Sequence, residues 1–361
     1  TLEIQHAEKL SFAMQQCAVP WLHGIALRND GEHPLRELCL QIEVRGFVAV
    51  SEVLLDELQV GERRELDVPD LSLPAEAFAN QIERSRADLV VTVTCGDEQL
   101  LREVRAIDVL AYNEWPGLQD MPALLAAFVM PNHPALTPVL HAVAERLEQV
   151  TGDAALSGYQ SGGASRVRAM LGAVHDAICA VGIRYVSSPP SFEGTGQKIR
   201  MPEQVVGERL ATCLDLTLLY AAVLEHIGLQ PILVVQNSHA FVGVWLGQEN
   251  REKVAIGAGI EVRKAVAAGT VAVLESTMAC VVPTQSHTRA VAAAEQRLLD
   301  EKQFRVALDV AAARRTGIRP LPVRTSIYEV VVGDLPPVTE VDGRDAVPPQ
   351  PVVDPLVLSH T

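Results

Sequence analysis

The sequence predicts an α+β protein in which an antiparallel β-sandwich precedes a helical region and a domain built around one cysteine. Three observations support this prediction. Short alternating segments separated by turns fill residues 1–112, helical patterns follow, and an apolar helix with two strands after it begins at Cys213. We expect four parts: a sandwich (1–112), a helical connector (113–164), a cysteine domain with a C-terminal helix (165–322) and a Pro-rich acidic tail (323–361).

The first part shows the two-residue alternation of half-buried strands. Turn signals such as NDGEHP (29–34) and CGDE (95–98) separate the strands at regular intervals, which indicates an immunoglobulin-like antiparallel sandwich. Cys39 and Cys95 are expected to be free thiols, because an intracellular chain seldom forms disulfides. The predicted strands are LHGIALRN (22–29), ELCLQIEVR (37–45), DLVVTVTC (88–95) and LLREVRAIDVL (100–110), and 75–86 is a short helix or an irregular crossover.

Helical periodicity follows the sandwich. Apolar residues recur at helical spacing in 134–152 and in 165–182, and we expect Ser165 to cap the second of these helices. His175 and Cys179 are one turn apart on it, but no further ligand is apparent nearby, so we expect a structural role rather than a metal site. Residues 121–134 and 287–317 are also predicted to be helical, the latter throughout.

Composition limits the classes of partner. The chain has 361 residues and a formal net charge of -15, which argues against nucleic-acid binding because such proteins carry basic surfaces. No apolar run approaches the roughly 18 residues that a membrane span needs. The six cysteines include no CxxC pair. We therefore expect a cytoplasmic protein that binds no membrane, and no metal ligand set is apparent.

The segment ATCLDLTLLYAAVLEHIG (211–228) is predicted to be an amphipathic helix that starts after Thr212 and ends at Gly228. Thr212 suits the N-cap, which makes Cys213 the first helical residue. Free backbone N–H groups and the helix dipole favour negative charge there and raise the thiolate fraction. Asp215 is expected to complement the same dipole. Cys213 is therefore the candidate nucleophile.

Two strands after this helix carry the groups that a cysteine nucleophile needs. After the strand PILVVQ (231–236), His239 begins the strand HAFVGVWL (239–246), and Glu275 lies in TVAVLEST (270–277). An imidazole within reach of the thiol acts as base and then as acid, and a carboxylate orients the imidazole. The order cysteine, histidine, carboxylate therefore predicts a catalytic triad of Cys213, His239 and Glu275.

This order resembles the transglutaminase-like superfamily, a variant of the papain-like fold. The residues that carry the resemblance are ATCLDLTLLYAAVLEHIGLQP (211–231), NSHAFVGVWL (237–246) and VLEST (273–277). The match looks closer to a bacterial branch in which a β-sandwich, a helical segment and a transglutaminase-like domain precede a superfamily 1 helicase. The phrases AYNEWPG (111–117), FVMPNHP (128–134), GQKIRMP (196–202) and ALDVAAARRTGIRPLP (307–322) look like that branch, over about residues 20–322.

The resemblance implies a role for each matching position. Cys213 would be the nucleophile, His239 its general base, and Glu275 would stand where the superfamily usually has Asp. Gln197, upstream in GQKIR, would donate an amide N–H to the oxyanion beside the backbone N–H of Cys213. The resemblance also implies a helicase-bearing partner or region. No Walker A motif occurs here, and no calcium loop or other cofactor motif is present.

Two functions stay open at this point. The first is acyl transfer by a cysteine enzyme, to water as a peptidase or amidase or to an amine as a transglutaminase, with hydrolysis preferred because most bacterial members are thought to be proteases. The second is an inactive transglutaminase-like scaffold that binds a partner, linked to a helicase or a defence system. In that case Cys213 would have ordinary thiol reactivity.

Overall fold

The computed structural model is α+β and describes residues 1–47, 49–68, 73–119, 121–160, 162–324 and 331–336. This agrees with the predicted fold class. The chain divides into two compact units, Thr1–Pro116 and Gly117–Thr361. Within the described residues, no helix combines the length and apolarity that crossing a bilayer requires.

The first unit is built mainly of antiparallel strands. Its larger sheet has the strand order β2-β8-β7-β4-β5, and its smaller sheet has the order β1-β3-β6. The strands are β1 (Leu2–His6), β2 (Lys9–Leu10), β3 (Leu22–Arg28), β4 (Leu35–Arg45), β5 (Ala49–Leu58), β6 (Arg63–Leu66), β7 (Ser85–Cys95), β8 (Glu98–Val109) and β9 (Glu114–Trp115), and the helices are α1 (Phe12–Gln16) and α2 (Ala75–Ala79).

Alternation determines which side of the larger sheet is buried. In β4 the even-numbered residues Leu38, Leu40, Ile42 and Val44 are buried, and Leu40 lies opposite Val93 of β7. The four strands predicted in this unit correspond to β3, β4, β7 and β8. Cys39 and Cys95 are free, as expected. The prediction missed β1, β2, β5, β6 and β9.

The second unit mixes helices with a five-stranded sheet. Its α-helices are α3 (Thr137–Thr151), α4 (Gly163–Val181), α5 (Phe192–Thr195), α6 (Pro202–Glu208), α7 (Cys213–His226), α8 (Gly259–Ala267), α9 (His287–Arg297) and α10 (Val310–Arg315). Its strands are β10 (Arg184–Tyr185), β11 (Gln197–Lys198), β12 (Leu210–Ala211), β13 (Pro231–Gln236), β14 (His239–Trp245), β15 (Ala255–Ile256), β16 (Val271–Leu274) and β17 (Phe304–Asp309). Short 3-10 helices cover Pro122–Phe128, Pro134–Leu136, Gly158–Gln160 and Ser276–Cys280.

The sheet of the second unit is antiparallel throughout, with the order β15-β17-β13-β14-β16. Strands β13 and β14 form a hairpin in which Gln236 lies opposite His239. Ser238, in the two-residue turn between them, has a φ of 53°. The hairpin therefore returns the chain directly into His239 at the end of the sheet.

Helix α7 packs against this sheet and is more buried than its pattern predicts. All residues from Cys213 to Leu224 are buried, including Asp215 and Thr217. The prediction of an amphipathic helix is therefore wrong in this respect, because a helix that is apolar on nearly all sides lies inside the protein. Its bounds and its N-cap, Thr212, agree with the prediction.

Other local predictions are wrong. Residues 287–317 are not helical throughout, because β17 lies between α9 and α10 and pairs with β13. Ser165 is not an N-cap: α4 begins at Gly163 after Gly162, and the Ser165 hydroxyl donates to the Gly162 carbonyl. Glycine at a φ of 77° lets the chain enter the helix two residues early.

The region 121–134 forms 3-10 turns rather than an α-helix, since prolines stand at 122, 131 and 134. The strand predicted over 270–277 ends three residues earlier, at Leu274, so Glu275 lies outside it and caps the 3-10 helix that follows. Most of the predicted tail, including the possible strand at 327–332, lies outside the described residues.

Candidate active site

Cys213 is the first residue of α7, and a reciprocal cap fixes this end of the helix. The Thr212 hydroxyl accepts the Asp215 N–H at 3.2 Å, and the Asp215 carboxylate accepts the Thr212 N–H at 2.9 Å. Asp215 also accepts the Arg200 N–H at 2.9 Å. Burial raises the pKa of Asp215, while the hydrogen bonds from Thr212 and Arg200 oppose that shift. The cap holds the thiol at the position where backbone N–H groups are free.

His239 and Glu275 meet because β14 and β16 are paired. Leu274 lies opposite Val242, so the chain leaves β16 beside the start of β14. The distance from His239 Nε2 to Glu275 Oε2 is 2.8 Å. Cys213 lies close enough to the imidazole to help raise the pKa of His239. Because Glu275 occupies Nε2, Nδ1 is the ring nitrogen left for the sulfur.

The Glu275 carboxylate is fully buried and is held at both oxygens. Oε1 accepts the N–H of Thr277 at 3.1 Å and its hydroxyl at 2.7 Å. Oε2, which bonds His239, also lies 2.5 Å from Nε of Arg297 at the end of α9. The sequence analysis singled out neither Thr277 nor Arg297. Thr277 lies within the recognised VLEST segment, whereas no local signal connects Arg297 to the site.

The His239–Glu275 pair retains its charges in spite of burial. Burial alone would lower the pKa of His239, but Glu275 and Cys213 raise it to about 9. Burial alone would raise the pKa of Glu275, but His239, together with Arg297 and Thr277, lowers it to about 2. A charged imidazole bonded to a sulfur is the arrangement that stabilises a thiolate.

The thiol is covered on one side by the segment after α4. The Ser188 Oγ lies 3.3 Å from the Cys213 Sγ, and Tyr185 lies close enough to the same sulfur for Cys213 to raise its pKa. Burial, followed by proximity to Cys213, raises the pKa of Tyr185. Cys213 has 0% of its surface exposed. The sequence analysis missed both residues, because β10 is two residues long and Ser188 lies in irregular chain.

Gln197 lies beside the N-cap of α7. Its amide Nε2 donates to the Thr212 hydroxyl at 3.3 Å, and among the described residues its buried Oε1 has no hydrogen-bond partner. The side chain thus contacts the residue that precedes Cys213, in the region where sequence analysis expected it. The side-chain amide nitrogen of glutamine carries two N–H bonds, so one N–H of Gln197 remains for a further acceptor.

The second histidine–cysteine pair is separate from these residues. The ring nitrogens of His175 lie 2.8 Å from the Tyr220 hydroxyl and 3.0 Å from the Gln285 carbonyl, and Cys179 lies 3.5 Å from Nε2. In the described part of the chain, no group of three or more His, Cys, Asp or Glu side chains is arranged to hold a metal ion. Burial lowers the pKa of His175 to about 4, so the ring is neutral.

The fold and the site together define an α+β chain with a buried cysteine beside a histidine that bonds a buried glutamate. No known protein-family model matches the sequence. No curated protein matches it either.

Two of the solved structures that are similar to this chain show how weak the similarity is. A candidate protease from Parabacteroides distasonis shares 12% identity over 61% of this chain and 41% of its own length, with a TM-score of 0.20. Red sea bream transglutaminase shares 13% identity over 73% of this chain and 49% of its own length, with a TM-score of 0.21. The chain therefore spans less than half of either structure, and scores this low do not establish a common fold.

Proposed function

We propose that the chain is a cysteine hydrolase that cleaves an amide bond of a peptide or protein through a thioester. One observation carries this proposal: the cysteine at the start of α7 lies beside a histidine that is itself bonded to a buried carboxylate. A cysteine nucleophile is activated by such a histidine base, which a third group orients.

The first half of the reaction uses the thiolate of Cys213. The sulfur attacks the amide carbonyl carbon, and the carbonyl oxygen becomes an oxyanion. The N–H of Cys213 and the amide of Gln197 are the donors proposed to stabilise that charge. As the tetrahedral intermediate collapses, His239 donates its proton to the departing amine. The products of this half are a thioester on Cys213 and a free amine.

The second half uses His239 as a base. The neutral imidazole takes a proton from water, and the hydroxide attacks the thioester carbon. Collapse of this intermediate releases a carboxylic acid and restores the thiolate beside the imidazolium. Glu275 keeps the ring in the orientation and tautomer that both halves need. The resemblance to bacterial members of the superfamily favours water over an amine as the acceptor.

Alkylation of Cys213 tests this proposal. The labelling rate with iodoacetamide is measured by peptide mass mapping from about pH 5 to about pH 9 in the wild-type chain and in His239→Ala. Fast labelling below about pH 7 that depends on His239 is the expected result. The other five cysteines are internal controls. Labelling at the rate of an ordinary thiol, unchanged in His239→Ala, would contradict catalysis.

Peptide libraries then separate hydrolysis from transamidation. The wild-type chain is incubated with the library in the presence and absence of a primary amine, and the products are identified by mass. We expect acid products that disappear in Cys213→Ala. Products that carry the added amine in place of the acid would instead indicate a transglutaminase.

A scaffold function is the alternative, and the burial of Cys213 favours it. A thiol with no exposed surface beneath Tyr185 and Ser188 meets no substrate unless the covering segment moves. This alternative predicts that Cys213→Ala leaves the binding of a partner, such as a helicase-bearing protein, unchanged. Loss of binding in that variant would argue against a purely structural cysteine.

Three further expectations accompany the proposal. We propose an immunoglobulin-like sandwich for the first unit, supported by its two sheets and their largely antiparallel pairing. We propose a transglutaminase-like architecture for the second unit. The support is that the helix of Cys213 packs beside an antiparallel sheet in which the strand β14 begins with His239. A cytoplasmic location stays a prediction.

A further inference from the structure

Helix α9 contacts the candidate site at three points. The Glu275 N–H donates to the Ala290 carbonyl at 2.9 Å. The Gln236 amide, on the residue opposite His239, donates to the Arg297 carbonyl at 3.1 Å. The side chain of Arg297 lies against Glu275 Oε2. The helix is therefore fixed relative to both partners of the catalytic pair, and its last residue directs a cation at the carboxylate.

The four side chains that meet here have charges that cancel in the reactive state. A thiolate and a carboxylate supply two negative charges, and an imidazolium and a guanidinium supply two positive charges. Cys213 and Glu275 have no exposed side-chain surface, and the exposed fractions of the His239 and Arg297 side chains are 7% and 19%. A net charge in so buried a cluster is costly because water cannot solvate it.

We propose that Arg297 is the charge-compensating residue of the site, which allows Cys213 to be a thiolate while His239 is an imidazolium. This inference rests on the proposed function, since it concerns the reactive state of the same cysteine. Arg297 acts through Glu275 and is a positioning residue rather than a catalytic one. Without its charge, the thiolate, imidazolium and carboxylate carry one net negative charge, which protonation of Cys213 removes.

Other titratable groups face the site from the neighbouring elements. Tyr185 on β10 lies near the sulfur and is neutral near pH 7, because burial raises its pKa. Asp215 on α7 is paired with Arg200, which lies before α6, at 3.3 Å. Glu193 on α5 accepts the backbone N–H of Ser238 at 3.0 Å. Among the described residues, Arg297 is the permanent cation that forms an ion pair with Glu275.

The test combines two titrations in Arg297→Met, Arg297→Gln and Arg297→Lys. One is the pH profile of Cys213 alkylation, and the other is the NMR titration of the His239 ring. Both neutral variants are expected to slow alkylation near pH 6.5 by about tenfold and to raise both midpoints by about one pH unit. The proton on the Cys213 sulfur and the proton on the His239 ring are both held more tightly when a nearby positive charge is removed. Arg297→Lys is expected to stay close to wild type.

Arg289→Met is the matched control, because Arg289 lies on the same helix and donates to Gln285 Oε1 at 2.8 Å. It is expected to leave both midpoints unchanged. A purely structural role for Arg297 would reduce the yield of folded protein without moving either midpoint of the folded fraction. Wild-type midpoints in Arg297→Met would overturn the proposal, and so would wild-type midpoints in Arg297→Gln alone, since that result would assign the effect to hydrogen bonding.

The two titrations also separate this proposal from the proposed function. If Cys213 is alkylated at the rate of an ordinary thiol and that rate is unchanged in His239→Ala, the proposed hydrolase activity is contradicted. The His239 midpoint still tests Arg297 in that event, because the imidazole and the guanidinium share Glu275 whether or not the thiol is reactive. A midpoint that does not rise overturns the compensating role by itself.

Discussion

At the scale of single residues, the position of Glu275 explains how a glutamate reaches the site. The strand β16 ends at Leu274, and Glu275 already belongs to the turn that begins the next 3-10 helix. Thr277 holds one carboxylate oxygen from within that turn. Glu275 therefore reaches His239 from the turn after the strand rather than from the strand itself.

The capping box of α7 gives the first prediction. Asp215→Asn removes the charge that accepts the Thr212 and Arg200 N–H groups inside the protein. We expect the free energy of unfolding to fall by about 1–2 kcal/mol, the usual effect of a lost cap and of a weakened buried hydrogen bond. Urea denaturation at neutral pH measures it.

Glu148→Gln is the control for that substitution, because Glu148 is an exposed carboxylate of α3. Its free energy of unfolding should equal that of wild type within error. Equal stability of Asp215→Asn and wild type would show that water or another donor replaces the cap.

His175 gives the second prediction, which concerns acid stability. Its pKa is lowered from 6.5 to about 4 by burial, so the unfolded chain binds a proton that the folded chain refuses between those values. Stability should therefore fall as the pH drops through this window, by up to roughly 3 kcal/mol. The neutral ring fits its surroundings, since one nitrogen donates to the Gln285 carbonyl and the other accepts from Tyr220.

Urea denaturation near pH 7 and near pH 4.5 in wild type and His175→Gln measures this effect. The variant is expected to be less stable than wild type near pH 7 and to lose less stability on acidification. An identical acid dependence in both proteins would assign it to other groups.

At the scale of elements, the segment that follows α4 controls access to the thiol. Strand β10 is only two residues long and pairs in parallel with β12, immediately before the N-cap of α7. Ser188 then places its hydroxyl on the Cys213 sulfur, and Tyr185 lies nearby. So short a pairing has few hydrogen bonds to break, which makes this segment the part of the site that opens most readily.

The third prediction concerns this cover. Tyr185→Ala is expected to increase the rate at which a bulky maleimide labels Cys213 by about tenfold, because the side chain over the sulfur is gone. The rate with small iodoacetamide should change less. Arg184→Ala, an exposed neighbour on the same strand, is the control and should label like wild type. An unchanged maleimide rate in Tyr185→Ala would exclude this face as the route of entry.

Elements also show what could be predicted from the sequence. Helix α7 and the two strands β13 and β14, the second of which begins with His239, were predictable. Their apolar residues recur at regular spacing, and Gly228 ends the helix. Strand β17 was not, because FRVALD (304–309) joins two helical patterns and its pairing with β13 is a long-range contact. The same reason hid Arg297, whose relation to Glu275 depends on the packing of α9 and not on any local motif.

At the scale of the whole molecule, the excess of negative charge is the dominant electrostatic feature. The formal net charge of -15 produces repulsion among surface carboxylates. Many of the ion pairs in the first unit are exposed, for example that between Arg36 and Glu57. Exposed pairs contribute little, so the repulsion should exceed them.

The fourth prediction follows from this balance. Raising NaCl from about 0.02 M to about 0.5 M at pH 7 should increase the unfolding temperature, because salt screens the net repulsion more than it weakens exposed pairs. Differential scanning fluorimetry measures the shift. A decrease would mean that attractive pairs dominate the surface field.

The cover over Cys213 also has a kinetic consequence. If the thiol is reached only when the Tyr185–Ser188 segment opens, each turnover begins with a step that is independent of the scissile bond. Substrates with very different leaving groups would then be consumed at similar maximal rates, and those rates would fall with solvent viscosity. The closed state would also shield the sulfur from peroxide between encounters, so that the nucleophile is preserved for the moment a substrate displaces its cover.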